Sequence, residues 1–528
     1  MLNAESILIG ICESLWEPGV VDHYNPNFVA YKPSHQKSSV NLSCPPLNYD
    51  MGGDEVIHRA KELLKLCTGQ HKVCSRKVTQ ELPSRVLDVG SEDGKLPLRL
   101  HVKHGSEHAD YVTLSYCWGG PQQFTTTSNT LKERAQGIDF MQLPQTIQDA
   151  VKFTRKLGFR YLWIDALCIL QDSTDDKRVE INKMGRIYKN STITISASNA
   201  ENVHKGFLRS RHLDQGCVLP LCLPNNFMGE IGVVKSSSLW WDDCPLSKRS
   251  WTLQEDLLSP RVLQFGQGEV GWQCQFESFP VVPSVISYFP PRLRRLPSDI
   301  FNATSSSGKN KEDQALIWES MILDYSMRDC TWEADRMPAI AGIASELGQV
   351  WSDVYLAGMW KACLLNHLAW HCRDRKGAVP LNVQDIGVTR VQPPSWSWLS
   401  AVPFDAIYFE EFKPKAVLKD CTVRLANEYD KYGWVLRGTL VLEGALSHNS
   451  AFGDSQLDIK MDSNSDGVPP HPPDCWYFWL GYRRGMGAIG LILLDLGQRT
   501  FKRVGQLRHD ATPFKFWEEF ENETVTII

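Results

Sequence analysis

The sequence predicts an α/β fold built on a parallel β-sheet, with helical and β-rich additions towards the C-terminus. Between residues 111 and 197, strand-like and helix-like segments alternate. This alternation is typical of a parallel sheet covered by helices. Three apolar stretches within residues 111–255 also end abruptly in polar and aromatic side chains. Buried strands end in this way at the carboxyl edge of α/β sheets, where ligands bind.

The first predicted elements precede this alternating region. Apolar residues spaced three and four apart predict a helix that begins at Asp54 and reaches Cys67. Residues 82–90 and 96–102 form two short apolar runs around a turn that contains Gly94. This pattern predicts two strands.

The alternating region supplies strand, helix, strand, helix and strand in turn. A Gly-Gly-Pro turn at residues 119–121 ends the first strand, and the first helix begins after Pro144 and ends at Gly158. The five predicted segments are 111–116, 143–157, 161–164, 176–188 and 191–197.

The remaining chain shows the same periodicities in shorter stretches. They predict a helix at 250–258, a hairpin of 261–265 with 269–274, helices at 318–329 and 335–370, a strand at 395–398 and strands after about residue 417. Residues 1–50, 280–312 and 450–473 lack periodicity and are rich in turn-forming residues, which predicts an irregular arm, a long loop or lid and a surface loop.

A chain of 528 residues is too long for one small core. The changes in pattern predict four parts. These are an N-terminal arm and helix (1–80), the α/β domain (81–280), a loop and helical region (281–400) and a β-rich region (401–528).

The net charge of −5 gives no electrostatic reason to expect binding to nucleic acid or to an anionic membrane. No run of about 18 uncharged apolar residues predicts a transmembrane helix. The first residues lack a basic segment followed by an apolar core, so we expect no signal peptide. Fifteen cysteines scattered along a long chain are typical of reduced thiols. We therefore expect a cytoplasmic protein.

Five segments in a fixed order carry a family resemblance. They are Ser-Tyr-Cys-Trp-Gly at 115–119, Leu-Pro-Gln-Thr-Ile at 143–147, Trp-Ile-Asp-Ala-Leu-Cys-Ile at 163–169, Met-Gly-Arg-Ile-Tyr at 184–188 and Arg-Ser-Trp-Thr-Leu-Gln-Glu at 249–255. Together they resemble the fungal heterokaryon incompatibility (HET) domain, and the resemblance runs roughly from residue 82 to residue 400. Leu170 departs from it, because the family more often has asparagine at this position.

The resemblance implies roles in fungal non-self recognition and programmed cell death. It also implies a Rossmann/flavodoxin-like (TIR-like) sheet, because HET domains are thought to be distant relatives of TIR domains. In catalytic TIR domains, a glutamate one turn after an aromatic residue serves NAD cleavage. The matching residues here are Trp251 and Glu255. The resemblance thus makes NAD a candidate substrate and assigns no cofactor, and it leaves a homo-oligomer or a signalling partner open.

Ten residues are predicted to line one small-molecule pocket at the edge of the sheet. The catalytic candidates are Glu255, Asp165, Cys168 and Tyr116, and the substrate-binding candidates are Ser115, Trp118, Gln171, Arg249, Trp251 and Gln254.

The two acidic candidates each have a structural alternative. Asp165 follows a buried strand, so its carboxylate suits a general base or an anchor for a ribose hydroxyl. The alternative is a helix cap or a carboxylate that organises the loop. Glu255 shares a helix face with Trp251, which suits a flat ligand that develops positive charge. Alternatively, Glu255 forms a structural ion pair with Arg249 or Arg261.

The other two catalytic candidates are equally open to structural roles. Cys168 has no histidine at a recognisable spacing, so a buried, inert thiol is the alternative to a nucleophile. Tyr116 suits a proton donor, a stacking surface or a core residue.

One segment offers soft metal ligands. Cys67, His71 and Cys74 are spaced for binding, and Cys44 is a candidate fourth ligand. Structural zinc needs four protein ligands, and no CxxC pair is present. We therefore expect ordinary packing and predict no metal site.

Two other functions remain open for the predicted pocket. It could convert a fungal secondary metabolite by hydrolysis, rearrangement or cyclisation, which a large apolar cavity without positive groups would indicate. It could instead belong to a non-catalytic signalling or interaction module, which a shallow pocket with Glu255 held by an arginine would indicate.

Overall fold

The structure is a computed structural model. It describes residues 28–31, 50–74, 79–91, 93, 95–208, 217–223, 227–235, 244–267, 269–281, 296–297, 300–301, 310–372, 384–386, 389–391, 393–401, 404–405, 412–428, 430–451, 457–462, 475–483, 487–509 and 520–528. Most of the predicted arm, of the predicted lid and of the predicted surface loop lies outside these residues. The chain divides into two compact units, Met1–Asn302 and Ala303–Ile528. The four-part division stays a prediction.

The first unit contains the alternating region. Its described helices and strands are β1 (Phe28–Tyr31), α1 (Asp54–Gln70), β2 (Arg85–Asp88), β3 (Arg99–Val102), β4 (Tyr111–Ser115), α2 (Leu131–Gln136), α3 (Gln145–Leu157), β5 (Tyr161–Trp163), α4 (Asp165–Cys168), α5 (Thr174–Asn190), β6 (Ile193–Ser196), β7 (Cys217–Leu223), β8 (Phe227–Lys235), α6 (Ser250–Leu258), β9 (Arg261–Phe265), β10 (Val270–Cys274) and β11 (Ser278–Pro280).

The main sheet of this unit has a parallel centre and antiparallel flanks. Its strand order is β11-β10-β9-β6-β4-β5-β2-β3. Strands β9, β6, β4 and β5 run parallel, whereas β10–β11 and β2–β3 are antiparallel pairs at the two sides. Strands β1, β8 and β7 form a separate antiparallel sheet. The predicted α/β class with a parallel sheet is confirmed, in the form of a mixed sheet.

The central strands are buried on both faces, as parallel strands covered by helices are. Every residue of β4 and of β6 is buried. Helix α3 covers the sheet with an apolar face that includes Ile147 and Val151. The ring of Phe153 packs edge-on against Phe265 of β9, with 5.1 Å between the ring centroids. Gly158 ends this helix in the left-handed conformation, with φ at 92°.

The second unit begins with helices and continues with strands. Its described elements are α7 (Lys311–Ser326), α8 (Pro338–Trp351), β12 (Tyr355–Leu356), β13 (Met359–Trp360), α9 (Leu364–His367), β14 (His371–Cys372), β15 (Gln384–Ile386), β16 (Thr389–Val391), β17 (Phe404–Asp405), β18 (Phe412–Pro414), β19 (Val417–Leu425), β20 (Val435–His448), β21 (Leu457–Met461), β22 (Cys475–Arg483), β23 (Gly487–Asp495), β24 (Thr500–His509) and β25 (Asn522–Ile527).

The main sheet of the second unit closes on itself. Its strand order is β18-β22-β23-β24-β25-β20-β19, and β20 also pairs with β22. Strands β22, β23, β24, β25 and β20 thus form a ring. The predicted β-rich character after about residue 417 is confirmed. None of the described helices, in either unit, has the length and apolarity needed to span a membrane.

The prediction of one helical stretch over residues 335–370 is wrong. Helix α8 ends at Trp351, and Ser352 follows with a positive φ of 52°. The chain then forms the short β12–β13 pair. The ring of Trp360 packs edge-on against Trp351 at 5.1 Å and against Trp318 at 5.7 Å. This packing of large rings outweighs the helical preference of the local sequence.

The predicted strand at residues 395–398 is also wrong. These residues form a turn that leads into a short 3₁₀ segment from Trp398 to Ser400. The Ser397 hydroxyl donates to the Ala357 carbonyl at 2.6 Å and accepts from the Leu399 amide at 3.1 Å. Such side-chain bonds offer the backbone an alternative to a β-ladder. Trp396 and Trp398 are nevertheless buried, at 0% and 2% exposure.

The centre of the main sheet should dominate the stability of the first unit. Leu162 on β5 is fully buried beside Leu87 and Val112. We expect Leu162→Ala to lower the free energy of unfolding by about 2–5 kcal/mol, because it leaves a cavity. Urea unfolding followed by circular dichroism measures the change. As the matched control, Leu96→Ala at a 56% exposed position should change it by less than about 0.5 kcal/mol. Equal midpoints for both variants would contradict this assignment of the core.

Candidate functional site

The candidate site lies where strands β4 and β5 end. The two strands are parallel neighbours in the sheet, so the residues that follow them reach the same edge. Ser115 is the last residue of β4, and Asp165 opens helix α4, separated from the end of β5 by one residue. Gly119 has φ at +74°, and a Cβ there would lie 2.0 Å from the Cβ of Asn202. Glycine therefore lets the chain turn closely past Asn202 after the first strand.

Glu255 is the most deeply placed carboxylate of the site. It lies on helix α6 and is only 7% exposed. The hydroxyl of Ser115 donates a short hydrogen bond to its Oε2 atom. Burial raises the pKa of Glu255 to about 7, because an ionised carboxylate loses hydration there. The Ser115 hydroxyl and the nearby positive charge of Arg249 oppose this rise, whereas the charge of Asp165 adds to it.

Asp165 forms the second acidic position and keeps part of its surface exposed. The indole nitrogen of Trp118 donates to its Oδ2 atom at 2.8 Å, and the amide of Ala166 donates to Oδ1 at 2.7 Å. Desolvation raises the pKa of Asp165, and these two hydrogen bonds lower it. The carboxylate thus joins the ends of the two strands. This is the local structural role that the sequence left open.

The backbone after β4 is held by Arg249. Its Nη1 atom donates to the Tyr116 carbonyl at 2.6 Å. The Tyr116 hydroxyl is buried and lies close to the Asp165 carboxylate. Burial, followed by the charge of Asp165, raises the pKa of Tyr116 well above its usual value. A neutral phenol therefore lies beside the Asp165 carboxylate.

The other substrate-binding candidates differ in their surroundings. Trp251 is half-buried and lies one helical turn before Glu255 on α6, whereas Gln254 is 1% exposed. The Gln171 amide donates to the carbonyls of Asp165 and Ile169, both at 3.3 Å. Gln171 therefore braces the chain around α4 and does not present its amide nitrogen to a ligand.

The structure argues against the catalytic prediction for Cys168. Its side chain is fully buried, and the Ile164 amide donates to its Sγ atom at 3.5 Å. Burial raises the pKa of Cys168 to about 12. A nucleophilic cysteine must react as the thiolate, and this thiol stays protonated at neutral pH. The alternative of a buried, inert cysteine fits these contacts.

The alternative in which Glu255 pairs with Arg261 also fails. All three kinds of guanidinium nitrogen of Arg261 have other acceptors. Nε donates to the Cys67 sulfur at 3.1 Å, Nη1 to the Thr192 carbonyl at 3.1 Å and Nη2 to the Cys74 carbonyl at 2.6 Å. Arg249 remains the cation that acts on Glu255.

Sequence reasoning missed Tyr188 as a member of the site. Its hydroxyl donates to the Leu114 carbonyl at 3.0 Å. Burial, followed by the charge of Glu255, raises the pKa of Tyr188 well above its usual value. The available signal was its place as the last residue of the segment 184–188, which carries part of the family resemblance. Tyr188 thus links helix α5 to the end of β4 beside the buried carboxylate.

The described residues that could hold a metal ion lie outside this constellation. They are Cys67, His71, Cys74 and Cys274, whose ligand atoms all lie within 4.8 Å of one another. The constellation around Glu255 is instead acidic and aromatic, with one arginine. Its chemistry suits stabilisation of positive charge on an organic ligand.

The first unit is thus an α/β domain with two carboxylates at the edge of its parallel strands. The sequence model of the family described as heterokaryon incompatibility protein (HET) matches residues 111–255. Residues 111–255 therefore carry a HET domain, and this domain family implies a function of the heterokaryon incompatibility type. No curated protein and no solved structure matches the chain. The matched segment begins at the first residue of β4 and ends at Glu255.

The raised pKa of Glu255 predicts a pH-dependent stability. The folded protein holds this proton up to about pH 7, whereas an unperturbed glutamate releases it near pH 4.5. Between these values the native state binds more protons, so the free energy of unfolding decreases as the pH rises. For Glu255 this decrease is on the order of 3 kcal/mol between pH 4.5 and pH 7. Glu255→Gln should remove it.

Urea unfolding of both proteins from pH 5 to pH 8 measures this difference. The wild type should lose stability more steeply than Glu255→Gln as the pH rises. The same substitution at an exposed glutamate of the same unit, Glu133→Gln, is the control and should follow the wild-type curve. Parallel curves for the wild type and Glu255→Gln would show that Glu255 does not retain its proton in the fold.

Proposed function

We propose that the site around Glu255 cleaves the N-glycosidic bond between nicotinamide and ribose in a nicotinamide dinucleotide, as a TIR-like activity of this HET domain in fungal non-self recognition and cell death. The observation that carries the proposal is the buried Glu255 carboxylate, which accepts a hydrogen bond from the Ser115 hydroxyl and follows the half-buried Trp251 by one helical turn. The analogy with TIR domains contributes the choice of substrate.

The reaction needs a negative charge beside a sugar that becomes positive. The bond between the nicotinamide nitrogen and C1′ of the ribose breaks, and nicotinamide leaves as a neutral molecule with the bonding electrons. The ribose develops oxocarbenium character, water adds to C1′, and one proton is released. An ionised Glu255 in a site with little water stabilises that positive charge strongly.

The half-buried residues supply the contacts that a dinucleotide requires. The indole of Trp251 offers a flat surface for the nicotinamide ring. Asp165, which is partly exposed, can accept a hydrogen bond from a ribose hydroxyl, and the buried phenol of Tyr116 lies beside it. Trp118 fixes the Asp165 carboxylate by its 2.8 Å hydrogen bond. These groups orient the sugar relative to Glu255.

Release of nicotinamide from NAD by the purified full chain tests the proposal. Glu255→Gln removes the charge that stabilises the transition state, so we expect the rate to fall by about 100-fold or more. Glu269→Gln is the matched control, because Glu269 lies in the same unit and is also 7% exposed. It should retain the wild-type rate. A wild-type rate no faster than that of Glu255→Gln would contradict the proposed activity.

The pH dependence of the rate gives a second test. Glu255 acts in its ionised form, so the rate should rise with pH through about 7, the pKa of this carboxylate. The Ser115 hydroxyl lowers that pKa by its hydrogen bond. Ser115→Ala should therefore move the rise to higher pH.

Ser115→Thr keeps the hydroxyl and is the conservative comparison for this variant. It should leave the rise near its wild-type position, as measured by kcat/KM for NAD across the same pH range. A rise at the same pH in the wild type and Ser115→Ala would mean that Ser115 does not tune Glu255.

A further inference from the structure

The first unit holds a compact group of soft ligands that the site around Glu255 does not use. It consists of Cys67, His71, Cys74 and Cys274, hereafter the Cys₃His cluster. The three sulfur atoms and a ring nitrogen of His71 lie within 4.8 Å of one another. All three cysteines are buried, with exposures of 0%, 4% and 2%.

The local fold brings these four residues together from two distant parts of the chain. Cys67 lies in the last turn of helix α1, and His71 follows the end of this helix. The Cys74 amide donates to the His71 carbonyl at 2.9 Å, which closes a turn. Cys274 is the last residue of strand β10 and lies 203 positions after His71. The first three ligands thus come from one helix end and the fourth from the sheet.

The distances fit one tetrahedral ion. With zinc–sulfur bonds of about 2.3 Å and zinc–nitrogen bonds of about 2.0–2.1 Å, tetrahedral angles separate sulfur and nitrogen ligands by about 3.6 Å and two sulfurs by about 3.8 Å. The Cys274 sulfur lies 3.6 Å from Nδ1 of His71. The upper limit of 4.8 Å for all pairs leaves a contraction of about 1 Å or less when an ion binds.

The surrounding groups match those that support metal ligands. Nε2 of His71, the nitrogen that points away from the thiols, lies 3.3 Å from a carboxylate oxygen of Glu277. A metal-bound histidine commonly donates its other N–H to such a carboxylate. The amides of Phe276 and Glu277 both donate to the Cys274 sulfur at 3.4 Å. The ring of Phe276 packs on His71, with 4.5 Å between the centroids.

Charge also favours a bound dication. Three thiolates, one neutral imidazole and one divalent ion carry a net charge of −1. The buried Arg261 offsets it, because its Nε atom lies 3.1 Å from the Cys67 sulfur and Nη2 donates to the Cys74 carbonyl. A buried guanidinium without an anionic neighbour would be costly. The arginine is therefore consistent with an anionic metal–thiolate centre.

We infer that the Cys₃His cluster binds one zinc ion as a structural site. Zinc prefers tetrahedral sites made of thiolate and imidazole, and four protein ligands leave no open position for catalysis. The ion would join the end of α1 to the end of β10. Both lie outside the matched segment 111–255. This inference replaces the prediction of ordinary packing, because β10 supplies the fourth ligand. Cys44, the candidate fourth ligand in the sequence, lies outside the described residues.

The metal content of the purified full chain, grown with added zinc and kept under reducing conditions, is the first measurement. We expect about one zinc per chain. After replacement of zinc by Co²⁺, the protein should show visible bands of tetrahedral cobalt and charge-transfer bands from thiolates. These two results do not depend on any variant. A chain that contains no zinc and takes up neither ion would overturn the inference.

Variants then identify the ligands. Cys274→Ser should lower the zinc content by about tenfold or more and weaken the thiolate–cobalt bands. Cys363→Ser, a buried cysteine of the second unit, is the matched control and should keep a full complement of zinc. Unchanged zinc content in Cys274→Ser would overturn the ligand assignment. So would a disulfide between two of the three cysteines in the protein as purified without reductant.

A variant of Glu277 distinguishes a metal site from ordinary packing of the same residues. Glu277→Gln keeps the size of the side chain but weakens the acceptor for the His71 ring. We expect the zinc affinity, measured by competition with a chelator, to fall by about 10–100-fold. An unchanged affinity would exclude Glu277 as a positioning residue. It would also mean that His71 lies beside the three thiols without binding the ion.

Discussion

The candidate site depends on the burial of one carboxylate, Glu255, against the end of the central strand β4. The Ser115 hydroxyl donates to this carboxylate, and Arg249 holds the next residue of the chain by its carbonyl. Since an ionised acid loses hydration in such a place, its neighbours must compensate the charge or the acid stays protonated. The pKa of about 7 shows that the balance is close. A group balanced in this way can change its charge state near neutral pH.

The parallel strands of the sheet position the groups around Glu255. Strands β6, β4 and β5 are consecutive neighbours, so the chain after β4 and the chain after β5 emerge side by side. The hydrogen bond from Trp118 to Asp165 then ties these two ends together. Asp165 and Glu255 are far apart in the sequence, but they lie close enough in the fold for the charge of Asp165 to raise the pKa of Glu255. The same contacts that stabilise the edge of the sheet therefore arrange the acidic and aromatic groups of the candidate site.

Buried cysteines have different surroundings in the Cys₃His cluster and near the site around Glu255. At Cys168 a buried thiol has a raised pKa of about 12, and only a weak amide donor reaches its sulfur. At Cys274 the sulfur accepts from two amides and faces an imidazole nitrogen. Donors around a sulfur favour the thiolate, whereas burial without donors favours the thiol. The surroundings, rather than the residue type, thus separate an inert cysteine from a metal ligand.

The sequence by itself determined the alternating elements, the parallel centre of the sheet and the family. Hydrophobic periodicity and the glycine and proline residues that end an element are local properties of the sequence. They are therefore enough to predict β4, α3, β5 and α6. The segments around Ser115, Asp165 and Glu255 were also visible, because each ends an apolar run or shares a helix face with an aromatic residue. The motif that contains Tyr188 was seen as well, but its contact with the Leu114 carbonyl was not.

Only the tertiary structure decided which side chains meet. It placed Gln171 on backbone carbonyls, buried Cys168, directed Arg261 to Cys67 and brought Cys274 to His71. It also ended the predicted helix at Trp351, where ring packing prevails, and replaced the predicted strand by a turn at Ser397, where side-chain hydrogen bonds prevail. Local periodicity reports which face of an element is buried, but it carries no information about partners that are distant in the chain. Those partners are fixed by packing and by the need to satisfy buried polar groups.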